Sequence, residues 1–501
     1  MHSTIHNIVS IFEEAVSKNP DKIALIEGRR RLSYTALNAK VRNASIRYQA
    51  LGIEKGTKVL VLIPISIDLY INILALFKIG ASIIFVDEWS KKERLEACIK
   101  TVGIDVLVSG WKGKILRYFH PSLRQIPRSI VYQDVLSPNS VEEVSIKGKD
   151  SALVTYTTGS TGSPKAANRT HRFLYAQFIE LKNTLQHNEI EVLMTTLPII
   201  VLLGLGLNKT VVLPRYNYKS AADSDFDALG MDLLQHQVDT FITSPFILDE
   251  LVKTESSYKG LRSIYVGGAS IFKESAKRWK HKFTSSKIEL IYGSTEVEPI
   301  AKIPIDDFLD TKATHRGTCV GRVNKNLDLK IVDIHQSTPS SYLEVEDGSI
   351  GEIIVAGDHV LEDYLGDTSI IRRSKIQEGK LLWHRTGDAG YVLDGVLYLV
   401  GRASQMISLK GQTYGIFEVE EYLKSFRHVK NGTVMKKEGE SFVVLEGYVS
   451  SLEKEIIQNY LGNAYFIDSF KIPMDPRHHS KIDYPSLRRL LHQQYTPTVE
   501  V

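Results

Sequence analysis

Only two of the 501 residues are cysteine, Cys98 and Cys319. That excludes a disulfide framework and any cysteine-based metal site with short ligand spacing, and it suits a reducing cytoplasm. Charge of one sign is also lacking. Lys and Arg number 62 against 58 Asp and Glu, a formal net charge of +4, too balanced to argue for nucleic acid or an anionic membrane. The runs Arg29-Arg30-Arg31 and Lys91-Lys92-Glu93-Arg94 read as solvated faces. No apolar run reaches the ~20 residues a membrane helix needs. The stretch to check, residues 192–208, has no charge in 17 residues but is interrupted by Pro198, Gly204 and Gly206, and reads as a buried strand or pocket wall. The first nineteen residues carry charges and no apolar core, so no secretory signal is expected. His478-His479 has no partner at ligand spacing, and no repeat or low-complexity segment is present.

What is present suits a globular chain: 43% apolar and 24% charged residues, over a length that exceeds one ordinary core. From about residue 23 to 399, apolar runs at 59–63, 82–86, 211–213, 263–266 and 288–292 alternate with helical stretches, the rhythm of α/β layers. After Gly351 the texture shifts to short strands at 351–356, 389–393 and 396–400, the last two joined by Asp394-Gly395, a strong hairpin turn. Beyond Gly401-Arg402, Ile416, Val419, Leu423 and Phe426 mark a helix face. A hairpin is expected around Glu438-Gly439, and Ser450 with Glu453 forms a capping box. The expected fold is α/β: a large N-terminal body of layered sheets and helices over residues 1–400. A small mobile α+β lid follows over 401–501, with a hinge near 401–405. The interface between two such units is a preferred place for a ligand cleft.

The most informative segment is residues 155–165, T-Y-T-T-G-S-T-G-S-P-K. A strand-forming run at 151–156 leads into a loop of glycines and hydroxyl residues, and Leu174, Phe178, Leu181 and Leu185 then repeat at helical spacing. Strand, loop and helix together suit an oxyanion such as a triphosphate. Glycine lets backbone N–H groups approach, hydroxyls donate, and Lys165 supplies a mobile cation. The lysine spacing differs from a Walker A loop.

Four further segments agree with this one in order: Tyr292-Gly293-Ser294-Thr295-Glu296, Thr386-Gly387-Asp388, Gly401-Arg402, and Pro476-Arg-His-His-Ser-Lys481. Together they resemble the AMP-forming adenylating ligases (acyl- and aryl-CoA synthetases, peptide-synthetase adenylation domains, luciferases) over nearly the whole chain. The resemblance implies ATP and Mg as cofactors and a carboxylic acid as substrate, activated as an acyl-adenylate. It implies that Thr157, Thr158, Gly159, Ser160, Thr161, Gly162 and Lys165 cradle the triphosphate, that Thr295 contacts the α-phosphate, and that Glu296 binds the metal. Tyr292, Gly268 and Ala269 would receive adenine, Asp388 and Arg402 the ribose. Lys481 would bridge carboxylate and α-phosphate, making Lys481, Thr295 and Glu296 the catalytic set. Gln405 aligns with the hinge residue.

Departures from the family pattern bear on the acid and the acceptor. The segment Leu197-Pro198-Ile199-Ile200-Val201 has valine where relatives often have histidine. An apolar acid pocket is therefore expected from Ile199, Ile200, Val201, Leu203 and Gly204, with no aspartate to hold an α-ammonium. Lys410 stands where CoA-using relatives tend to have small residues, so coenzyme A is expected to be a poor acceptor. The tail 472–482, Val201 and Glu296-Val-Glu-Pro299 look closest to the olefin-pathway β-lactone synthetase and fatty acyl ligase branch. The expected reaction is activation of a fatty or hydroxy-fatty acid, then transfer to an internal hydroxyl, coenzyme A or an acyl-carrier protein. Two alternatives are a stand-alone enzyme loading an amino or aryl acid onto a carrier protein and a non-catalytic nucleotide-binding homologue. No nucleic-acid partner and no membrane span are expected.

Overall fold

The computed structural model describes residues 7–86, 92–134, 140–158, 164–185, 190–311, 316–335, 341–366, 368–409, 412–437, 440–474 and 482–494. The expected α/β architecture is found. One sheet has a parallel half in which Ile23–Glu27, Thr210–Leu213, Val192–Thr195, Thr240–Thr243, Ser263–Gly267 and Lys287–Ser294 lie side by side. It continues antiparallel through Val297–Pro304, Thr318–Val323, Val396–Arg402, Leu381–Leu393, Gly351–Ala356 and Asp328–Val332. A second sheet of seven strands orders Asp363–Leu365, Pro164–Thr170, Ser151–Thr158, Ser82–Phe85, Lys58–Leu62, Val106–Ser109 and Arg128–Val131.

Helices fill the space between the sheets. Ile67–Lys78 is apolar all round, and Ile67 and residues 69–77 are buried, which is what a helix covered on every side requires. Its core joins Val59 and Ile83 of one sheet to Leu193 and Val211 of the other. Its buried polar groups are paired: Asn72 accepts from Tyr48 and donates to Asp68 O, and the Tyr70 hydroxyl donates to Pro198 O. Emptying such a position, as in Phe77→Ala, typically costs about 3–5 kcal/mol.

Three local readings change. Residues 192–208 form a strand, Val192–Thr195, and then a helix, Pro198–Gly206; Pro198 occupies the first helical turn, where its missing N–H costs nothing. The glycine-rich loop does not open a helix. Pro164–Thr170 is a strand antiparallel to Ser151–Thr158, pairing Thr157 with Lys165, and the helix His171–Thr184 starts only after it, capped by Thr170. Thr386, Gly387 and Asp388 lie inside the strand Leu381–Leu393 rather than before it. Gly387, at φ +71°, absorbs the irregularity without the penalty another residue would meet.

The Asp394-Gly395 turn has positive φ at both positions, the geometry that matches strand twist in a two-residue hairpin. The expected hairpin after residue 429 is Val429–Lys437 with Glu440–Gly447; its turn, Glu438-Gly439, lies outside the described residues. Ser450 and Glu453 cap the helix Ser451–Leu461 reciprocally. The buried clusters of the tail draw only on residues from Ile407 onward. The tail helix Ile416–Lys424 rests on the strand Val396–Arg402, where a Cβ at Gly415 would fall 1.8 Å from Val400 O. Arg316 holds the tail through Glu418 at 2.8 and 2.9 Å.

Candidate active site

In open α/β sheets, ligands sit outside the carboxyl ends of the parallel strands. Here the ends of Ser263–Gly267 and Lys287–Ser294 deliver Gly268, Ala269, Tyr292, Thr295 and Glu296. Gly268 follows the first at φ +88°, with Ala269 beside it. Thr295 and Glu296 form the turn between Lys287–Ser294 and Val297–Pro304.

Glu296 is half-buried and held in place. Tyr364 donates from its hydroxyl to Oε1 at 3.0 Å, and Leu361 N–H donates to the Glu296 carbonyl at 2.7 Å. Tyr364 arrives on Asp363–Leu365, which pairs with the outer strand of the glycine-loop hairpin, setting Tyr364 opposite Ala167. That hairpin also sends Arg169 to the Thr295 carbonyl at 3.2 Å. Backbone pairing of the strands Asp363–Leu365, Pro164–Thr170 and Ser151–Thr158, with the bonds from Tyr364, Arg169 and Leu361, therefore ties this hairpin's strands to the Thr295-Glu296 turn. Lys375, buried beside it, donates to Leu361 O; burial lowers its pKa to about 7, offset by the nearby Glu296 and Asp363 carboxylates.

A second group lies close by. Asp388 and Arg402 are cross-strand partners, and Arg402 Nη1 is 3.0 Å from Asp388 Oδ1. Tyr292 donates to Asp388 Oδ2 at 2.7 Å. Asp388 raises the Arg402 pKa, with smaller contributions from Tyr292 and Glu296, so both groups share one field. Burial first and Asp388 second raise the Tyr292 pKa, which keeps its phenol a donor.

Beside these lies a cavity of about 310 Å³, its open mouth included. It is lined by Leu181, Leu185, Leu197, Ile200, Ile242, Tyr265, Val266, Gly267, Ile291 and Glu298. Its wall is kept open at Gly267, where a Cβ would come 2.9 Å from Ile291 O. The Tyr265 hydroxyl closes one side on Leu185 O at 2.8 Å. Of the five residues expected to line an acid pocket, Ile200 is on this wall. Ile199 is partly buried in the neighbouring core, Val201 and Leu203 are buried in it, and Gly204 faces Val211 and Leu193.

Gly159, Ser160, Thr161, Gly162 and Lys481 lie outside the described residues, as does Lys410. Thr157 and Thr158 end the strand leading into the loop. Met474 and Ile482, on either side of the Lys481 segment, form a bridge. Gln405 closes a short 3₁₀ turn after Arg402. Sequence reasoning missed Tyr364, Lys375, Arg169 and Glu298. Only Glu298 had a local signal, two positions past Glu296 on an alternating strand.

A lone carboxylate suits magnesium, which takes one or two protein carboxylates and fills its shell with water and phosphate oxygens. Among the described residues no cluster of three or more His, Cys, Asp or Glu could form a metal cage. An anchored carboxylate at the Thr295-Glu296 turn and a carboxylate–guanidinium pair close by, with Lys165 on a strand of the neighbouring sheet, are a set of groups that suits an anionic nucleotide. The chain belongs to the AMP-binding enzyme family, whose profile matches residues 12–365, and it is an ATP-dependent, AMP-forming acid ligase.

Among its relatives, olefin beta-lactone synthetase of Xanthomonas campestris is 25% identical, covering 96% of each chain. A linear gramicidin synthase of Brevibacillus parabrevis is 25% identical over 87% of this chain, which spans 6% of that protein. The fold is shared with O-succinylbenzoate coenzyme A synthetase of Bacillus subtilis in complex with ATP and magnesium ion. That likeness has a TM-score of 0.78 at 21% identity, covering 93% of this chain and 97% of the other.

Proposed function

We propose that this ligase activates an apolar acyl acid bearing a hydroxyl group, and that the acyl group then passes to that hydroxyl or to the thiol of coenzyme A or a carrier protein. The observation that carries the reading is the cavity beside Gly267: its lining is aliphatic and aromatic apart from Glu298. A carboxylate at the edge of an apolar site is suited to accept a hydrogen bond from a substrate hydroxyl.

In this reading residues 157–162 and Lys165 hold the triphosphate, Glu296 with Tyr364 behind it holds magnesium, and Asp388 with Arg402 takes the ribose. Tyr292, Gly268 and Ala269 border the adenine. Magnesium neutralises phosphate charge when bound. Thr295 and Lys481 orient the α-phosphate, a carboxylate oxygen of the acid attacks phosphorus, and pyrophosphate leaves. Positioning and electrostatics supply the acceleration. The nucleophile then attacks the acyl carbon and AMP departs. We assign residues 1–400 to the body and 401–501 to the lid, turning about Gly401–Gln405 so that Lys481 serves the first step and the Ser408 strand the second.

Glu298 also favours a second reading, an acid carrying an ammonium group. Exchange of labelled pyrophosphate into ATP, driven by matched aliphatic, β-hydroxy and α-amino acids, separates the two. The first reading expects the aliphatic and β-hydroxy acids to lead. AMP should be released without an added acceptor only from the β-hydroxy acid. Stronger exchange with the amino acid overturns it.

A further inference from the structure

The net charge of the whole chain conceals a local segregation. Residues 106–133 contain Lys112, Lys114, Arg117, Arg124 and Arg128 and no Asp or Glu. At their centre is the helix Trp111–Phe119, W-K-G-K-I-L-R-Y-F, which buries no residue. Its inward side is fixed by two features. A Cβ at Gly113 would lie 2.5 Å from Ser109 Cβ, and Arg117 donates to Leu123 O and Ile126 O at 3.2 and 2.7 Å.

The outward side is apolar. Trp111, Ile115 and Phe119 repeat at four-residue spacing and so share a face, with Leu116 and Tyr118 at its margins. These residues are 65%, 50%, 80%, 47% and 77% exposed in that order. They make up five of the fifteen large exposed hydrophobic residues among those described, concentrated on one nine-residue helix. Scattered exposed apolar residues need no explanation; a contiguous patch of this kind marks an interaction surface.

The residues bordering the patch identify what it meets. Lys112 and Lys114 flank the aromatic band at helical angles on either side of it. The cores of protein–protein interfaces are depleted in lysine. An anionic bilayer fits the combination: the rings enter at headgroup depth while the lysine stems lie along the apolar surface and carry their ammonium groups to the phosphates. We propose that the helix Trp111–Phe119 docks this enzyme peripherally on an anionic membrane surface. The surface does not depend on which acid the site activates.

The test is flotation of the full-length protein with vesicles of phosphatidylcholine alone, or of phosphatidylcholine with phosphatidylglycerol. Binding should favour the anionic vesicles, weaken with salt, and shift the Trp111 emission to the blue. Lys112→Gln with Lys114→Gln should lower partitioning by roughly fivefold per lysine, about 25-fold together. Trp111→Ser with Phe119→Ser should abolish it. Both double variants should keep the wild-type melting temperature and exchange activity, since the helix buries nothing. Equal binding to neutral and anionic vesicles, binding to neither, or wild-type binding by both variants would overturn the proposal. So would a concentration-dependent dimer lost in the Trp111→Ser, Phe119→Ser variant, because the face would then belong to a second copy of the chain.

Discussion

Replacing Asp388 with asparagine separates what this residue does for the fold from what it does for ATP. Asp388 accepts from Tyr292 at 2.7 Å and faces Arg402 at 3.0 Å. Asparagine keeps the shape and an acceptor for Tyr292 but removes the charge. A fully buried pair loses about 3–5 kcal/mol when one partner goes. Here, however, 39% of the Arg402 side chain is exposed, against 11% for Asp388, so solvent screens the loss and the folding cost should stay near 1 kcal/mol. A ribose diol donating to a carboxylate makes charge-assisted hydrogen bonds of about 1.5–3 kcal/mol each. Losing the charge and half of the acceptor capacity should cost about 3 kcal/mol, or on the order of 100-fold in affinity. Exchange rates against ATP concentration give the KM for ATP, and a thermal melt gives stability. A KM within threefold of wild type, together with a melting temperature lower by several degrees, would make Asp388 a structural residue and refute the ribose assignment.

Tyr364→Phe removes the hydroxyl that steadies Glu296. It should lower exchange by roughly tenfold or more and raise the magnesium concentration needed for half-maximal rate, whereas an unchanged magnesium titration would count against the positioning role. In the tail, burial raises the pKa of Glu420 to about 7, opposed by the hydrogen bond from Tyr484. The folded state thus holds a proton that the unfolded state gives up between pH 4.5 and 7. This group's contribution is fully present below about pH 4.5 and is lost as pH rises towards 7. Glu420→Gln should remove that slope and raise stability at pH 8 relative to the wild type. Parallel melting curves from pH 4.5 to 8 for both proteins would show the prediction to be wrong.

The residues proposed for the nucleotide can be picked out of the sequence because they sit in short segments whose chemistry is local. Glu296 follows a strand end, and Asp388 follows a threonine and a glycine. Tyr364 cannot be read in the same way. Its strand, Asp363–Leu365, is three residues long and pairs with a strand far earlier in the chain, so no periodicity marks it. Lys375 stands in the polar run S-K-I-Q-E, which reads as surface until the strand Leu381–Leu393 pairs with it and buries it. The glycine loop reads as opening a helix because the second strand, A-A-N-R-T, has no β-branched apolar residue and no apolar–polar alternation, and so carries little strand signal of its own. The uncharged stretch at 192–208 is apolar enough for either strand or helix, and only Pro198 marks the start of a helix.

Acid-dependent formation of an acyl-adenylate is the step on which every assignment above depends, and exchange of labelled pyrophosphate into ATP measures that step alone. The wild-type chain should exchange with an apolar acid and magnesium, and Lys481→Ala should exchange on the order of 100- to 1,000-fold more slowly while still binding ATP. Exchange in the variant above half the wild-type rate would contradict the role given to Lys481, and no exchange by the wild type with any aliphatic, hydroxy, aryl or amino acid would contradict the assigned activity as a whole.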